Sequence, residues 1–324
     1  MAELKPQVLL TGATGFIGGR LLQALTEEGF HVRVLVRSKG RLRSPLDNNP
    51  GVEVFEGDLL KRESILSAMD GTDAAFYLVH SMGGRNLSEI KSFAERDKRA
   101  AENFVWAADR VGLARIIYLG GMGEMGDNLS EHLVSRQQVG QILSSGKARA
   151  TILRAANIIG AGGAPFEMLR HLTERLPVML CPRWIETRAQ PIAVQNVIEY
   201  LMGCLKSRET AGRSLDIGGP DILSYRELMF IYARARGLRR VVITVPVLTP
   251  RLSSYWISLV TPVPAGVAMP LLEGLKNEVV CRDNQIRDLI PTRLIPMEEA
   301  ICTALVEAAG GPGKLPSVQA CFLR

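Results

Sequence analysis

Three glycines spaced Gly12-x-x-Gly15-x-x-Gly18 close the stretch Val8-Leu9-Leu10-Thr11-Gly12-Ala13-Thr14-Gly15-Phe16-Ile17-Gly18, and they are the residues best suited to grip a charged ligand. An apolar run ends at the first glycine and an amphipathic segment begins after the last. The pattern predicts a buried strand, a tight turn and a helix N-terminus. Unpaired N–H groups and the positive end of the helix dipole then face the turn, which suits a diphosphate. Glycine is needed where backbone must turn sharply and lie against the ligand. Gly12, Thr14, Gly15, Phe16, Ile17 and Gly18 are therefore read as dinucleotide contacts.

The residue after the second strand decides how the adenosine ribose is read. An acid there would accept from both ribose hydroxyls and favour NAD. Here the strand runs into Val36-Arg37-Ser38-Lys39, with no acid before Asp47. Arg37 offers a planar, always charged fork for a 2′-phosphate and Ser38 adds a hydroxyl, so NADP(H) is the expected cofactor. The other reading of Arg37, Lys39, Arg41 and Arg43 is a set of solvated loop charges. Gly57-Asp58-Leu59 follows the third strand, where Asp58 and Leu59 would meet the adenine edge; an Asp after Gly is also an ordinary turn residue.

These groups need a frame, and the first 160 residues supply strand and helix signals at βαβ spacing. Strands are expected at 8–10, 31–36, 52–56, 74–79, 116–119 and from 151, with helices at 19–28, 62–69 and 133–143 between them. Apolar side chains at 87, 90, 93, 94, 101, 104, 105 and 108 mark a long amphipathic helix to residue 111. The expected fold class is α/β: a Rossmann-like, doubly wound parallel sheet with a smaller C-terminal α/β lobe. Residues 1–160 form the NADP-binding domain in this reading, 161–309 the substrate lobe and 310–324 a flexible tail. Helices at 194–205, 225–235 and 297–308 punctuate the lobe, and Pro191-Ile192-Ala193 returns the chain towards the sheet.

Composition narrows the class. The excess of 39 basic over 33 acidic residues gives +6 without a long basic stripe, which fits an anionic cofactor and argues against nucleic acid. Five scattered cysteines without a Cys-x-x-Cys pair predict neither a metal site nor a disulfide framework. No signal-peptide core precedes the first strand, and no uncharged apolar run reaches membrane-spanning length, so a cytoplasmic location is expected. The most apolar stretch, 241–275, is broken by Arg251, Glu273 and five prolines. It is read as a pocket wall or as a docking surface for a membrane or protein partner; Ser254-Tyr255-Trp256 and Pro262-Val263-Pro264 would wall a hydrophobic substrate site.

With Thr11-Gly12-Ala13-Thr14-Gly15-Phe16-Ile17-Gly18, Arg37, Gly57-Asp58-Leu59 and Leu153-Arg154-Ala155-Ala156-Asn157, the chain resembles the atypical short-chain dehydrogenases/reductases, from about residue 7 to near 235. It is most similar to their NAD(P)H-binding, NmrA-like branch. Tyr118-Leu119-Gly120-Gly121-Met122-Gly123 and His132-Leu133-Val134-Ser135-Arg136 also resemble nucleotide-diphosphate-sugar epimerase-like members. The resemblance implies hydride transfer at a nicotinamide, with cofactor contacts continuing to Val79, His80, Gly120, Ala156 and Asn157. His80 is read either as a neighbour of the inner ribose or as a strand cap. Members usually carry a Ser at the end of strand five and a Tyr-x-x-x-Lys on the next helix. Here the serine's neighbourhood is Gly120-Gly121, and the helix offers His132 and Arg136 at the same spacing of four.

His132 would serve as general acid near neutral pH and Arg136 would bind ribose hydroxyls. The other reading makes His132 a helix-terminal residue in a site that has lost its chemistry. Two functions follow: an NADPH-dependent reductase of a hydrophobic carbonyl or isoprenoid-like molecule, and a non-catalytic NADP(H)-binding sensor or scaffold. NmrA-like regulators and an accessory subunit of respiratory complex I are family precedents for the second.

Overall fold

The computed structural model describes residues 5–42, 49–81, 87–123, 130–245, 274 and 276–311. Seven parallel strands form its central sheet. They are β1 (Gln7–Thr11), β2 (His31–Val36), β3 (Val52–Glu56), β4 (Ala74–Tyr77), β5 (Arg115–Gly121), β6 (Arg149–Ala155) and, much later in the chain, β11 (Ser214–Ile217). Their order is β11-β6-β5-β4-β1-β2-β3. The chain therefore starts in the middle and reverses direction between β1 and β4, which leaves a crevice at the strands' carboxyl ends. Val8 of β1 lies opposite Val32 on one side and Ala74 on the other.

Both faces of the sheet are covered, which is why its strands read as nearly unbroken apolar runs. Val8 and Leu10 point to one side, against Leu21, Leu22 and Leu25 of α1 (Phe16–Glu27) and Val197, Tyr200 and Leu201 of α6 (Val194–Lys206). Leu9 points to the other side, into a core shared by α2 (Arg62–Met69), α3 (Leu87–Val111) and α4 (Glu131–Ser144) through Ile65, Phe104, Val139 and Leu143. Ile116 and Ile117 of β5 split between the two faces in the same alternation.

The first helix starts at Phe16, not at residue 19 as the sequence pattern suggested. Gly15 is its N-cap and Gly18 is already buried in its first turn. Two adjacent glycines read as turn, yet glycine is tolerated in a helix where another backbone segment must pass close by.

After residue 160 the chain builds a second core from α5 (Ala164–Arg175), α7 (Tyr225–Ala235) and α9 (Met297–Ala308), with Phe166, Leu169, Leu228, Tyr232 and Ile301 at its centre. Three two-stranded sheets accompany it: β7 (Ile158–Ile159) with β10 (Ile192–Ala193), β9 (Arg188–Ala189) with β12 (Leu223–Ser224), and β8 (Val178–Pro182) with β13 (Val241–Val245). A short α8 (Gln285–Leu289) precedes α9. A boundary at residue 160 does not describe this arrangement, because α6 packs on α1 and β11 extends the main sheet. Four residues, Ser214-Leu215-Asp216-Ile217, are too short a run to announce a strand from sequence alone.

Among the described residues Cys181, Cys204 and Cys281 are free thiols. Cys302 is disulfide-bonded. No described helix is long and apolar enough to cross a membrane. Arg43, Asp47, Ser254-Tyr255-Trp256, Pro262-Val263-Pro264, most of 241–275 and the tail from residue 312 lie outside the described residues.

Candidate active site

Thr11 anchors the turn after β1: its Oγ1–H donates to the Phe76 carbonyl at 3.0 Å, tying β1 to β4. Gly12 follows with φ +80°, where a side chain would be strained, and a Cβ there would sit 2.6 Å from the Leu78 carbonyl oxygen. A Cβ on Gly18 would lie 2.1 Å from the Gly12 oxygen. Gly15 N–H donates to that same oxygen at 2.9 Å and closes the turn. No side chain caps α1, so its first N–H groups are left for a ligand.

Above this cradle opens a cavity of about 420 Å³. Among its described lining residues only His80, His132, Arg136 and Asn157 have polar side chains; Phe16, Ile17, Leu78, Leu119, Met122 and Leu133 make most of the wall. His80 Nδ1, Arg136 Nε and Asn157 Nδ2 are buried without a hydrogen-bond partner among the described residues. Buried polar atoms are normally paired, so three orphans in one cavity are the signature of a ligand that completes them. The glycine cradle and these three groups fit a nicotinamide dinucleotide.

The strand ends place the polar groups. His80 follows β4, and the Ser81 N–H next to it donates to Asp97 Oδ1 of α3 at 2.8 Å, so Asp97 holds a turn. His132 and Arg136 lie one turn apart on α4, whose N-cap Ser130 accepts from Leu133 N–H. The Tyr118 hydroxyl donates to the Arg136 carbonyl at 3.1 Å, pinning α4 to β5. The His80 and His132 rings meet edge-on with centroids 6.2 Å apart.

Burial, and then the Arg136 charge, push His132 down to about 3. Burial, Arg136 and His132 together push His80 well below its ordinary value. His132 is therefore neutral at physiological pH. Burial is the larger cause, and the guanidinium one turn away, which repels a second positive charge, is the next. A neutral ring still carries one N–H, and a donor is what a carbonyl oxygen requires.

The same shifts make the fold acid-sensitive. An unfolded histidine protonates near 6.5 while folded His132 resists down to about 3, so the unfolded chain binds more protons across that window. Stability is complete above the unfolded value and falls as pH drops below it. His132 should cost about 1.2 kcal/mol over the unit from pH 6 to pH 5. Denaturant melts at both pH values check this, and a His132→Gln variant should show the smaller drop; equal drops would remove the explanation.

Of the residues singled out in the sequence, Gly12, Gly15, Phe16, Ile17, Gly18, His80, Gly120, His132, Arg136, Ala156 and Asn157 line the cavity together. Thr14, Arg37, Ser38, Asp58, Leu59 and Val79 do not. Thr14 is exposed in the turn, and Arg37 is exposed directly after β2, with Ser38 just before a 3-10 turn at Lys39–Arg41. Asp58 Oδ1 accepts from Leu60 N–H at 3.0 Å, the ordinary turn role of an Asp after Gly. Leu59 is 8% exposed and its carbonyl accepts from Asn103. Val79 likewise packs on the core under α2 and α3.

Sequence reasoning missed Gly162, Ala164, Pro165 and Val279, which close the far wall. Gly162-Gly163-Ala164-Pro165 did carry a signal, since Pro in the first turn marks a helix start and α5 begins there. Val279 had none; it reaches the cleft through a bridge to Ala189. No described group of His, Cys, Asp and Glu side chains could hold a metal ion.

Residues 12–159 match the family described as NAD(P)H-binding. Over 118 residues the chain is 33% identical to the 3 beta-hydroxysteroid dehydrogenase/Delta 5→4-isomerase of Mycobacterium tuberculosis, covering 35% of this chain and 30% of that protein. Over 306 residues it is 25% identical to the mitochondrial NADH dehydrogenase (ubiquinone) 1 alpha subcomplex subunit 9 of Arabidopsis thaliana, covering 87% and 74% of the two chains. The triphenylmethane reductase of Citrobacter sp. complexed with NADP(H) has the same fold, with a TM-score of 0.71, 20% identity and coverage of 92% and 99%. The chain spans 30–31% of the length of the hydroxysteroid dehydrogenases it matches.

Proposed function

We propose that the chain, whose residues 12–159 match the NAD(P)H-binding family, is an atypical short-chain dehydrogenase/reductase and within that class an NADP(H)-dependent reductase of a hydrophobic carbonyl or isoprenoid-like small molecule. The observation that carries this reading is an apolar cavity at the glycine cradle in which four polar side chains converge, three of them with unpartnered buried atoms. A bound nicotinamide dinucleotide supplies the hydride. The amides of Gly15 to Gly18 hold its diphosphate, and Arg37 takes the 2′-phosphate that an acid would repel. His132 N–H and Arg136 Nε–H donate hydrogen bonds to the substrate carbonyl oxygen and stabilise the negative charge that grows there, and the alkoxide left by hydride transfer takes its proton from water as the product leaves. Leu119, Met122 and Leu133 keep water from the reacting carbon.

The hydroxysteroid dehydrogenase and the dye reductase, by their names, act on hydrophobic molecules, which supports the substrate class. Titration of intrinsic fluorescence with NADPH and NADH tests the cofactor. Arg37→Ala is expected to weaken NADPH about tenfold, the loss of one charged hydrogen-bonding group, and to leave NADH unchanged. Equal wild-type affinity for both would remove the NADP(H) assignment. NADPH oxidation across a panel of aliphatic and cyclic ketones tests the reaction.

A second reading, a non-catalytic NADP(H)-binding sensor or scaffold, draws on a separate observation. β8 and β13 pair Val178 with Val241 and Leu180 with Ile243, and all four side chains are exposed on one face. Such a ladder is where a protein partner or a membrane surface would dock. The glycines at 120–121 and the similarity to a respiratory-chain subunit support it as well. Co-purification that changes with NADPH, beside NADPH binding without turnover, would favour this reading; liposome sedimentation separates membrane from protein.

A further inference from the structure

We propose that the ladder of β8 and β13 docks on an anionic membrane surface. Among the described residues six large apolar side chains are exposed, and four of them, Val178, Leu180, Val241 and Ile243, belong to this ladder, each 45–55% exposed. Single exposed aliphatics are ordinary; four in one register are not. The strands run parallel, with Val178 opposite Val241 and Leu180 opposite Ile243, so the four stand two by two on one side. The residues between them turn the other way: Met179 is buried in the second core and Val242 packs against it. Arg226 of α7 donates to Thr244 Oγ1 at 2.7 Å and ties β13 to that helix. The ladder is thus held from behind and presents hydrocarbon outward.

Charge selects the occupant. Arg239 lies just before β13 and Arg183 directly follows β8, so in a parallel pair the two guanidiniums mark opposite ends of the ladder. Both are exposed, and neither has an ion-pair partner among the described residues. The nearest acids along the described chain, Glu174 and Glu186, are paired with Arg236 at 3.2 Å and Arg226 at 2.8 Å. An apolar centre between positive ends suits lipid of negative charge: the aliphatic tips enter the hydrocarbon edge, and the long Arg stems carry their charge to the phosphates. Four half-exposed side chains supply far less than the roughly 800 Å² per partner that a stable protein interface buries. β13 also leads directly into residues 246–273, a sequence whose only charges are Arg251 and Glu273 and which holds Tyr255-Trp256, residue types favoured at lipid headgroups. Such docking rests on the face named above and needs no turnover, so vesicle binding and NADPH oxidation are read separately.

Sedimentation of the full chain with vesicles tests this, using phosphatidylcholine alone and phosphatidylcholine mixed with phosphatidylglycerol. The protein should pellet with the mixed vesicles, lose them as salt rises, and bind phosphatidylcholine alone more weakly. Leu180→Ser combined with Ile243→Ser should lower the partition coefficient at least about tenfold, the loss of two aliphatic side chains from lipid. Arg183→Gln and Arg239→Gln should each lower it about fivefold, on the mixed vesicles only. Val241→Trp should raise it. Circular dichroism and NADPH titration check that each variant is folded. Protein left in the supernatant with the mixed vesicles, or binding indifferent to all of these substitutions, overturns the proposal. So does a shift from dimer to monomer in the Leu180→Ser, Ile243→Ser protein without vesicle binding by the parent chain, which would assign the ladder to a second copy.

Discussion

Gly18→Ala is expected to lower NADPH affinity at least about 100-fold, because a displacement near 1 Å of groups that position a ligand costs that much. The added methyl would stand 2.1 Å from the Gly12 oxygen, 2.6 Å from its carbonyl carbon and 2.9 Å from Ala13 Cα. All three are backbone atoms, so no rotamer relieves the clash; either α1 moves away from the turn or the turn opens. Both displace the N–H groups that face the diphosphate. Gly15→Ala is the control, since its Cβ would approach only the Gly12 oxygen, at 3.2 Å, from an extended backbone with φ −87°. That variant should keep most of the affinity. Fluorescence titration beside circular dichroism separates lost binding from lost folding, and a folded Gly18→Ala protein with wild-type affinity would show that the loop is not the diphosphate site.

What could be read in advance follows the range of the interactions. The glycine turn, the arginine after β2 and the amphipathic face of α3 depend on neighbours a few residues away, and each stood in the sequence as spacing. β11 was invisible because four residues carry little periodicity and its partner, β6, lies some sixty positions earlier. The far wall of the cleft came from residues that reach it only through long-range pairing, as Val279 does through Ala189. Asp58 and Leu59, at the end of β3, also make local bonds that spacing does not announce: Asp58 Oδ1 accepts from Leu60 N–H and the Leu59 carbonyl from Asn103.

The protonation of His132 was beyond sequence for a related reason, and it sets the second large effect. Spacing placed His132 and Arg136 on one face of α4, but only the fold buries the ring beside His80 and keeps the guanidinium close enough to push it down to about 3. An imidazolium donor with an ordinary value near 6.5 would lose rate as pH rises through that value. A neutral N–H donor has nothing to titrate there, so the rate of carbonyl reduction should stay level from pH 5 to 8. His132→Ala should lower kcat about 10²- to 10³-fold, the cost of removing one preorganised donor to a developing oxyanion. NADPH affinity should hardly change, because the glycine cradle and Arg37 lie elsewhere. His132→Gln retains an N–H at similar reach and should recover part of the loss, which a merely structural histidine would not predict. A His132→Ala protein with full turnover would reassign the hydrogen-bond donor at the carbonyl oxygen to another group in the cleft, and a wild-type rate that falls between pH 6 and 7 would show that a titrating acid acts there instead.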